Sequence, residues 1–232
     1  MAGTVTQVSE GGSGQVTAGS GSQSVDATGS DMIVIMLVMW RNDGNVLGTN
    51  GAPTATFDGV SATLVQKSNP NQAGKAAVLY VPAPTQGSAT LAFNYNLNGD
   101  GLGPDRCVMA YALIKGSRQL NSVDGSGNGD GTGTSFSAAL TTAATGSYMY
   151  AAVGPQQTAE DPGFATSTNS TGISSGTGTR GAGGFKHSGN PPSTGAQSMN
   201  FTMSLSRVYV WAAVAIQPYT YPRRMGLPGF PV

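Results

Sequence analysis

The sequence predicts an all-β protein built as a two-sheet antiparallel β-sandwich, on three observations. Short runs rich in β-branched and aromatic residues recur from residue 31 to residue 217, as expected of strands. Clusters of Gly, Asn, Pro and Asp separate these runs and indicate turns. No segment shows the 3.6-residue apolar period of an amphipathic helix. A chain of 232 residues is short enough to form one such domain.

The composition divides the chain into three parts. Residues 1–29 are mostly Gly, Ser, Thr, Gln and Val without apolar periodicity, so we predict a flexible N-terminal arm. Residues 30–217 are predicted to form the sandwich domain. Residues 218–232 contain four prolines and no further strand pattern, which predicts an extended, Pro-rich C-terminal arm.

Ten strands are predicted, near residues 32–40, 53–57, 61–67, 76–82, 88–95, 106–115, 134–140, 147–153, 198–204 and 207–217. Met32–Trp40 and Val208–Ile216 are apolar at nearly every position, which indicates strands covered on both faces. Ser88–Tyr95 alternates, as expected of a strand with one face in water. Because the longest apolar run has nine residues, about half of what a membrane-spanning helix needs, we predict no membrane contact.

Three glycine-rich stretches are predicted to be loops: 96–105, 124–133 and 154–197. The last is far longer than the usual connection of about four to six residues. Long loops on a rigid scaffold often contact partners. The 154–197 stretch is therefore a candidate contact surface.

Charged residues are scarce and balanced. They make up 9% of the chain, against about 25% in an average soluble domain. With 11 basic and 11 acidic residues, the chain lacks the basic excess that binds nucleic acid, so we predict no nucleic-acid partner. A neutral surface suits a protein held in an assembly. The single Cys107 allows no internal disulfide and is predicted to be a buried, small apolar side chain.

Two enzyme motifs occur without the structural context that they need. Gly172–Gly176 fits G-x-S-x-G and His187 follows it, but a nucleophile elbow requires a strand-to-helix turn and an acid between serine and histidine. Gly176–Gly181 fits G-x-G-x-x-G, with no strand before it and no helix after it. We predict no catalytic residue, no cofactor and no enzymatic activity.

Asp124, Asn128 and Asp130 are the candidate metal ligands. They lie at positions one, five and seven of a stretch with glycine at position six, as in a calcium-binding loop. Ser135 stands at the twelfth position, where such a loop has a bidentate Glu. The simpler interpretation is a glycine-rich turn, and we predict no metal site.

The C-terminal arm carries the candidate interface residues. Aromatic and arginine side chains dominate binding hot spots, and proline reduces the entropy lost on docking. Fifteen extended residues reach roughly 50 Å, enough to span a neighbouring subunit. A disordered tail is the alternative. The predicted contact residues are Tyr219, Tyr221, Arg223, Arg224, Met225, Leu227 and Phe230.

Four segments carry a resemblance to a known family: residues 55–65, 79–91, 110–116 and 211–218. They resemble a β-sandwich module of tailed-bacteriophage virion proteins and bacterial surface proteins, over roughly residues 31–218. The resemblance implies a jelly-roll-like sandwich that serves as a head decoration, cement or fibre protein. It implies no catalytic residue, and both arms fall outside it.

The resemblance and the arms together lead to a functional expectation. We expect a non-enzymatic structural protein of a tailed-phage virion, made in the host cytoplasm and located on the head surface as a capsid decoration or cement protein. Its partners would be the major capsid protein and neighbouring copies of itself, as a homo-oligomer, with a trimer suggested by analogy. The alternatives are a fibre or receptor- and glycan-binding module using residues 154–197, and a bacterial adhesion domain, which the lack of a secretion-signal pattern in residues 1–31 disfavours.

Overall fold

A computed structural model describes residues 5–16, 20–40, 52–68, 74–94, 106–155, 164–165, 170–175, 183–187 and 194–219. These residues form fifteen strands and no helix. Accordingly, the described part of the chain holds no helix that is long and apolar enough to cross a membrane.

The strands are numbered in chain order. They are β1 Thr6–Val16, β2 Ser20–Asp26, β3 Met32–Trp40, β4 Thr54–Phe57, β5 Val60–Ser61, β6 Thr63–Lys67, β7 Gly74–Pro82, β8 Ser88–Asn94, β9 Arg106–Lys115, β10 Val123–Thr142, β11 Tyr148–Pro155, β12 Phe164–Ala165, β13 Ser170–Ser175, β14 Gly183–His187 and β15 Gly195–Ile216.

The strands form three antiparallel sheets. The central sheet has the order β1-β9-β3-β7-β6, and the small sheet has the order β2-β8-β4-β5. The ribbon sheet has the order β10-β15-β11-β14-β13, with β12 paired to β15. The predicted all-β class of packed antiparallel sheets is confirmed, while the jelly-roll form stays a prediction.

The central sheet is covered on both faces. Alternate residues of β3 point to opposite sides: Met32, Val34, Met36 and Val38 pack against the ribbon sheet. Ile33, Ile35, Leu37 and Met39 pack against the small sheet. The predicted central position of this strand is confirmed. A strand buried on both faces needs a layer on each side, so the structure has three sheets where two were predicted.

The paired strands β10 and β15 form a ribbon that folds back on itself. Residues 123–133 pair with 216–207, residues 135–142 pair with 202–195, and the register breaks between Gly133 and Ser135. A Cβ added at Gly125 would collide with the Thr141 carbonyl oxygen, and one at Gly127 would lie 2.5 Å from the Ala139 oxygen. Residues 139–141 therefore lie directly over residues 125–127.

This folded-back half, residues 135–142 and 195–203, covers the outer face of the ribbon sheet. Its apolar side chains pack on those of β11 and of residues 211–215 of β15 in a third buried cluster. Phe136 stacks on Tyr209 and Phe201, with ring centroids 4.1 and 5.1 Å apart. Val210, Ala212, Val214 and Ile216 point instead into the cluster beneath the central sheet. The prediction that Val208–Ile216 is covered on both faces is confirmed.

The stretch 124–133, predicted to be a loop, belongs to strand β10. Its glycines leave room for aromatic rings of the neighbouring strand. A Cβ at Gly129 would lie 2.7 Å from Trp211 Nε1, and one at Gly131 would lie 2.5 Å from Tyr209 Oη. The glycines that indicated a turn instead lie in a strand, where Gly129 and Gly131 contact the rings of Trp211 and Tyr209.

The predicted flexible arm over residues 1–29 is wrong for its described part. β1 pairs with β9 from Thr6 opposite Lys115 to Val16 opposite Cys107, and β2 pairs with β8 along its whole length. Edge strands are held by backbone hydrogen bonds and one or two anchors, here Val5 and Val25 at 1% and 2% exposure, so they need little apolar sequence.

The predicted 154–197 loop is also partly wrong. β14 pairs with β11, and β13 pairs with β14. Within the G-x-S-x-G match, residues 172–175 lie in β13, not at a strand-to-helix turn. The predicted loop 96–105 and the whole G-x-G-x-x-G match, residues 176–181, lie outside the described residues.

Candidate interaction surface at the C-terminal exit

The chain leaves the described fold at Tyr219, beside the loop of residues 116–122. Ser117 and Pro218 form a β-bridge. Tyr219 N–H donates to Gly116 O at 2.7 Å, and Gln217 N–H donates to Ser122 O at 2.7 Å. Residues 116–122 and 217–219, which we call the exit surface, are thus joined by backbone hydrogen bonds.

Asp31 fixes the exit loop to the central sheet. Its carboxylate accepts hydrogen bonds from Gly116 N–H at 2.7 Å, from Ser117 Oγ at 2.5 Å and from Ser117 N–H at 3.3 Å. Gly116 has φ +82°, a left-handed conformation that glycine adopts without a steric cost. Since Asp31 directly precedes β3, the position of the loop is set by the most buried part of the fold.

Asp124 fixes the exit from the other side. Its carboxylate accepts from Ala143 N–H and Ala144 N–H at 3.0 Å and from Ser147 Oγ at 2.6 Å, all at the turn after β10. It also accepts from Gln217 Nε2 at 3.2 Å. The same carboxylate therefore ties the folded-back half of the ribbon to the exit.

These contacts also correct the calcium hypothesis. Asp124, Asn128 and Asp130 lie on an extended strand, where six residues span about 20 Å, so they cannot surround one cation. Asn128 Nδ2 donates to Lys67 O at 2.6 Å. No group of three or more His, Cys, Asp or Glu suited to a metal occurs among the described residues.

Two large side chains are exposed at the exit surface. Leu120 is 75% exposed and Tyr219 is 42% exposed. The loop that carries Leu120 is held further by Gln119, whose Oε1 accepts from Ala83 N–H at 2.8 Å and whose Nε2 donates to Ser117 Oγ at 3.1 Å. An exposed leucine on a loop with this many hydrogen bonds is an apolar contact point that needs little ordering on binding.

Of these two exposed residues, Tyr219 was predicted from the sequence as an interface residue and Leu120 was not. The sequence pattern that could have indicated Leu120 is a single leucine within the polar run Ser117-Arg118-Gln119-Leu120-Asn121-Ser122. The other predicted interface residues, Tyr221, Arg223, Arg224, Met225, Leu227 and Phe230, lie outside the described residues.

A surface pocket of about 230 Å³ lies on the small sheet. Its walls are neutral and carry hydroxyl, amide and apolar groups, from Thr54, Ala55, Thr56, Ala92, Phe93 and Asn94. The described residues that line it include no Asp, Glu, His, Lys, Arg or Cys. It offers hydrogen bonds to a small neutral group.

Burial shifts the pKa of three groups in the core. Cys107 is fully buried, as predicted, and burial raises the pKa of its thiol, which disfavours the nucleophilic thiolate. Burial also raises the pKa of Tyr150, helped by Tyr148 and Glu10. Burial lowers the pKa of Lys75 to about 8, with a smaller contribution from Lys67.

Comparison with known proteins gives no relative: no family model matches the chain, and neither do curated proteins or solved structures.

Proposed function

We propose that this chain is a non-enzymatic structural protein of a tailed-phage virion, a capsid decoration or cement protein whose C-terminal segment binds neighbouring subunits. The observation that supports the proposal most is that backbone hydrogen bonds fix residues 217–219 to the loop of residues 116–122. A binding segment is most effective when it leaves a rigid body at a fixed point, because less conformational freedom is then lost on docking.

The length and chemistry of the remaining segment fit this role. Residues 220–232 span at most about 45 Å when extended, enough to reach an adjoining subunit. They contain two arginines and several apolar side chains, the types that dominate interface hot spots. Leu120 and Tyr219 add two exposed large side chains on the described body, next to the point where this segment begins. The partners would be the major capsid protein and neighbouring copies of this chain, with a trimer suggested by analogy.

Deleting residues 220–232 tests the proposal. We expect the variant to retain the wild-type melting temperature, because the deletion keeps Tyr219 and the backbone hydrogen bonds described at the exit. We also expect it to lose at least ten-fold in occupancy on capsids that lack this protein. Quantitative gel analysis of purified particles measures the occupancy. A variant with residues 220–232 in scrambled order keeps length and composition and should also fail to bind. Full occupancy by the deletion variant would contradict the proposal.

The small-sheet pocket favours a second candidate, a fibre or glycan-binding module. Hydroxyl and amide groups around a neutral pocket suit a sugar hydroxyl. A glycan array probed with the isolated protein separates the two functions. Binding that survives deletion of residues 220–232 and disappears in Ala92→Phe, which fills the pocket, would favour this second function over the first.

A further inference from the structure

Among the described residues, the edge strands of the three sheets are not equally protected against pairing with another strand. An exposed edge presents unpaired backbone groups, and proteins commonly interrupt it with a bulge or keep it short. Register shifts interrupt β1, β6, β10 and β13, and β5 and β12 have only two residues each. Among the described edge strands longer than two residues, β2 alone pairs with its neighbour along its whole length without a shift.

The hydrogen-bond pattern shows which backbone groups of β2 point outward. Ala27 N–H donates to Gly87 O at 3.0 Å, directly beyond the pair of Asp26 and Ser88. On the other side of β8, Asp58 N–H donates to Thr90 O at 3.0 Å. In an antiparallel pair the bonded residues alternate. Residues 21, 23 and 25 therefore bond to β8, whereas residues 20, 22, 24 and 26 direct their N–H and C=O groups away from it.

The side chains of β2 leave this edge accessible. Ser20, Ser22 and Ser24 are small and exposed, and the strand contains no Lys and no Pro, the residues that usually block an edge. The one charge is Asp26 at the end of the strand, where Oδ1 accepts from Thr28 N–H at 3.0 Å and Thr28 Oγ1 at 2.6 Å.

We propose that the β2 edge binds the β2 edge of a second copy of this chain, antiparallel about a two-fold axis at Gln23. Two four-stranded small sheets would join into one continuous eight-stranded sheet. This register uses the whole strand, and it places Ser22 opposite the partner's Ser24 and Asp26 opposite the partner's Ser20. Each facing pair exchanges two N–H···O bonds.

The chemistry of the strand selects a second copy as the occupant. In the two-fold register, serine faces serine and neither Asp26 faces another acid, so the strand is complementary to itself. The chain has no net charge, so two copies approach without long-range repulsion. The pairing requires neither a capsid nor residues 220–232, and its failure would leave the proposed function intact.

Sedimentation equilibrium of the full chain tests the inference. The wild type should show twice the monomer mass of 23.3 kDa. S22K/S24K places lysine opposite lysine at two pairs, and S22E/S24E does the same with glutamate, so each alone should be monomeric. An equimolar mixture should return to the dimer mass, because lysine then faces glutamate. Restored association in the mixture also shows that both variants are folded.

Two further variants complete the experiment. S88K/T90K adds the same charge to the same face on β8, away from the edge, and should remain dimeric. Ser22→Pro removes one outward N–H without removing a bond to β8, so it should be monomeric with an unchanged circular dichroism spectrum. A monomeric wild type at millimolar concentration would overturn the inference. That result is expected if a strand of another protein, and not a second copy, pairs with the β2 edge. A dimeric S22K/S24K or a dimeric Ser22→Pro would likewise overturn the inference.

Discussion

β3 and the first half of β10 are both covered by neighbouring layers, but they are filled in opposite ways. β3 supplies large apolar side chains to both of its faces. In residues 125–133 of β10, glycines without side chains leave the space that the rings of Trp211 and Tyr209 of β15 fill. Hence a strand in a packed sheet can be specified by the space that it leaves as well as by the side chains that it inserts.

The largest expected effect is in β3. Leu37 is fully buried between the central and small sheets, and Leu37→Ala removes its methyl groups and leaves a cavity. We expect a loss of about 2–5 kcal/mol in the free energy of unfolding, measured by urea titration. Leu205→Ala is the matched control, since Leu205 is 49% exposed and should change stability by less than about 0.5 kcal/mol. Equal losses in the two variants would contradict the assignment of β3 to the core.

An intermediate effect is expected in β10. The Cβ of Gly129→Ala would lie 2.7–2.9 Å from three atoms of the Trp211 ring, which must then shift within a packed cluster. We expect a loss of about 1–3 kcal/mol and a change in tryptophan fluorescence. Gly133→Ala is the control in the same strand, because its Cβ meets nothing closer than 3.5 Å. If both alanines are tolerated alike, the rings do not lie on this strand as described.

A pH-dependent effect is expected at the end of β3. Lys75 lies opposite Met39 at 4% exposure, and burial lowers its pKa from 10.5 to about 8. Between these two pH values the unfolded chain binds more protons than the folded chain, so stability should rise with pH. Comparison of the wild type with Lys75→Met isolates this contribution.

The stability advantage of Lys75→Met over the wild type should be largest below pH 8 and should shrink toward pH 10.5. Thermal unfolding at pH 7, 9 and 10.5 measures it. An advantage that is independent of pH would show that Lys75 keeps its ordinary pKa in the folded chain.

The sequence predicts β3, β7, β9 and the end of β15 well, because each carries an unbroken apolar or β-branched run. β1, β2 and the first half of β10 escaped prediction because the stabilising contacts lie in other parts of the chain. From local sequence alone Gly129 indicates a turn, because the ring of Trp211 that covers it comes from 82 positions later in the chain. Leu120 was missed for the same reason: the exit surface exists only where residues 116–122 meet residues 217–219.

The position of residues 217–219 at the end of β15 has a mechanical consequence. Residues 217–219 continue β15, which runs for 22 residues and pairs with β10 on one side and with β11 on the other. Antiparallel hydrogen bonds are perpendicular to the strands, so tension applied along β15 at Tyr219 loads many of them at once in shear, instead of opening them one by one. If the C-terminal segment binds a neighbouring subunit as proposed, a pull on it would transmit the force into the middle of the ribbon sheet.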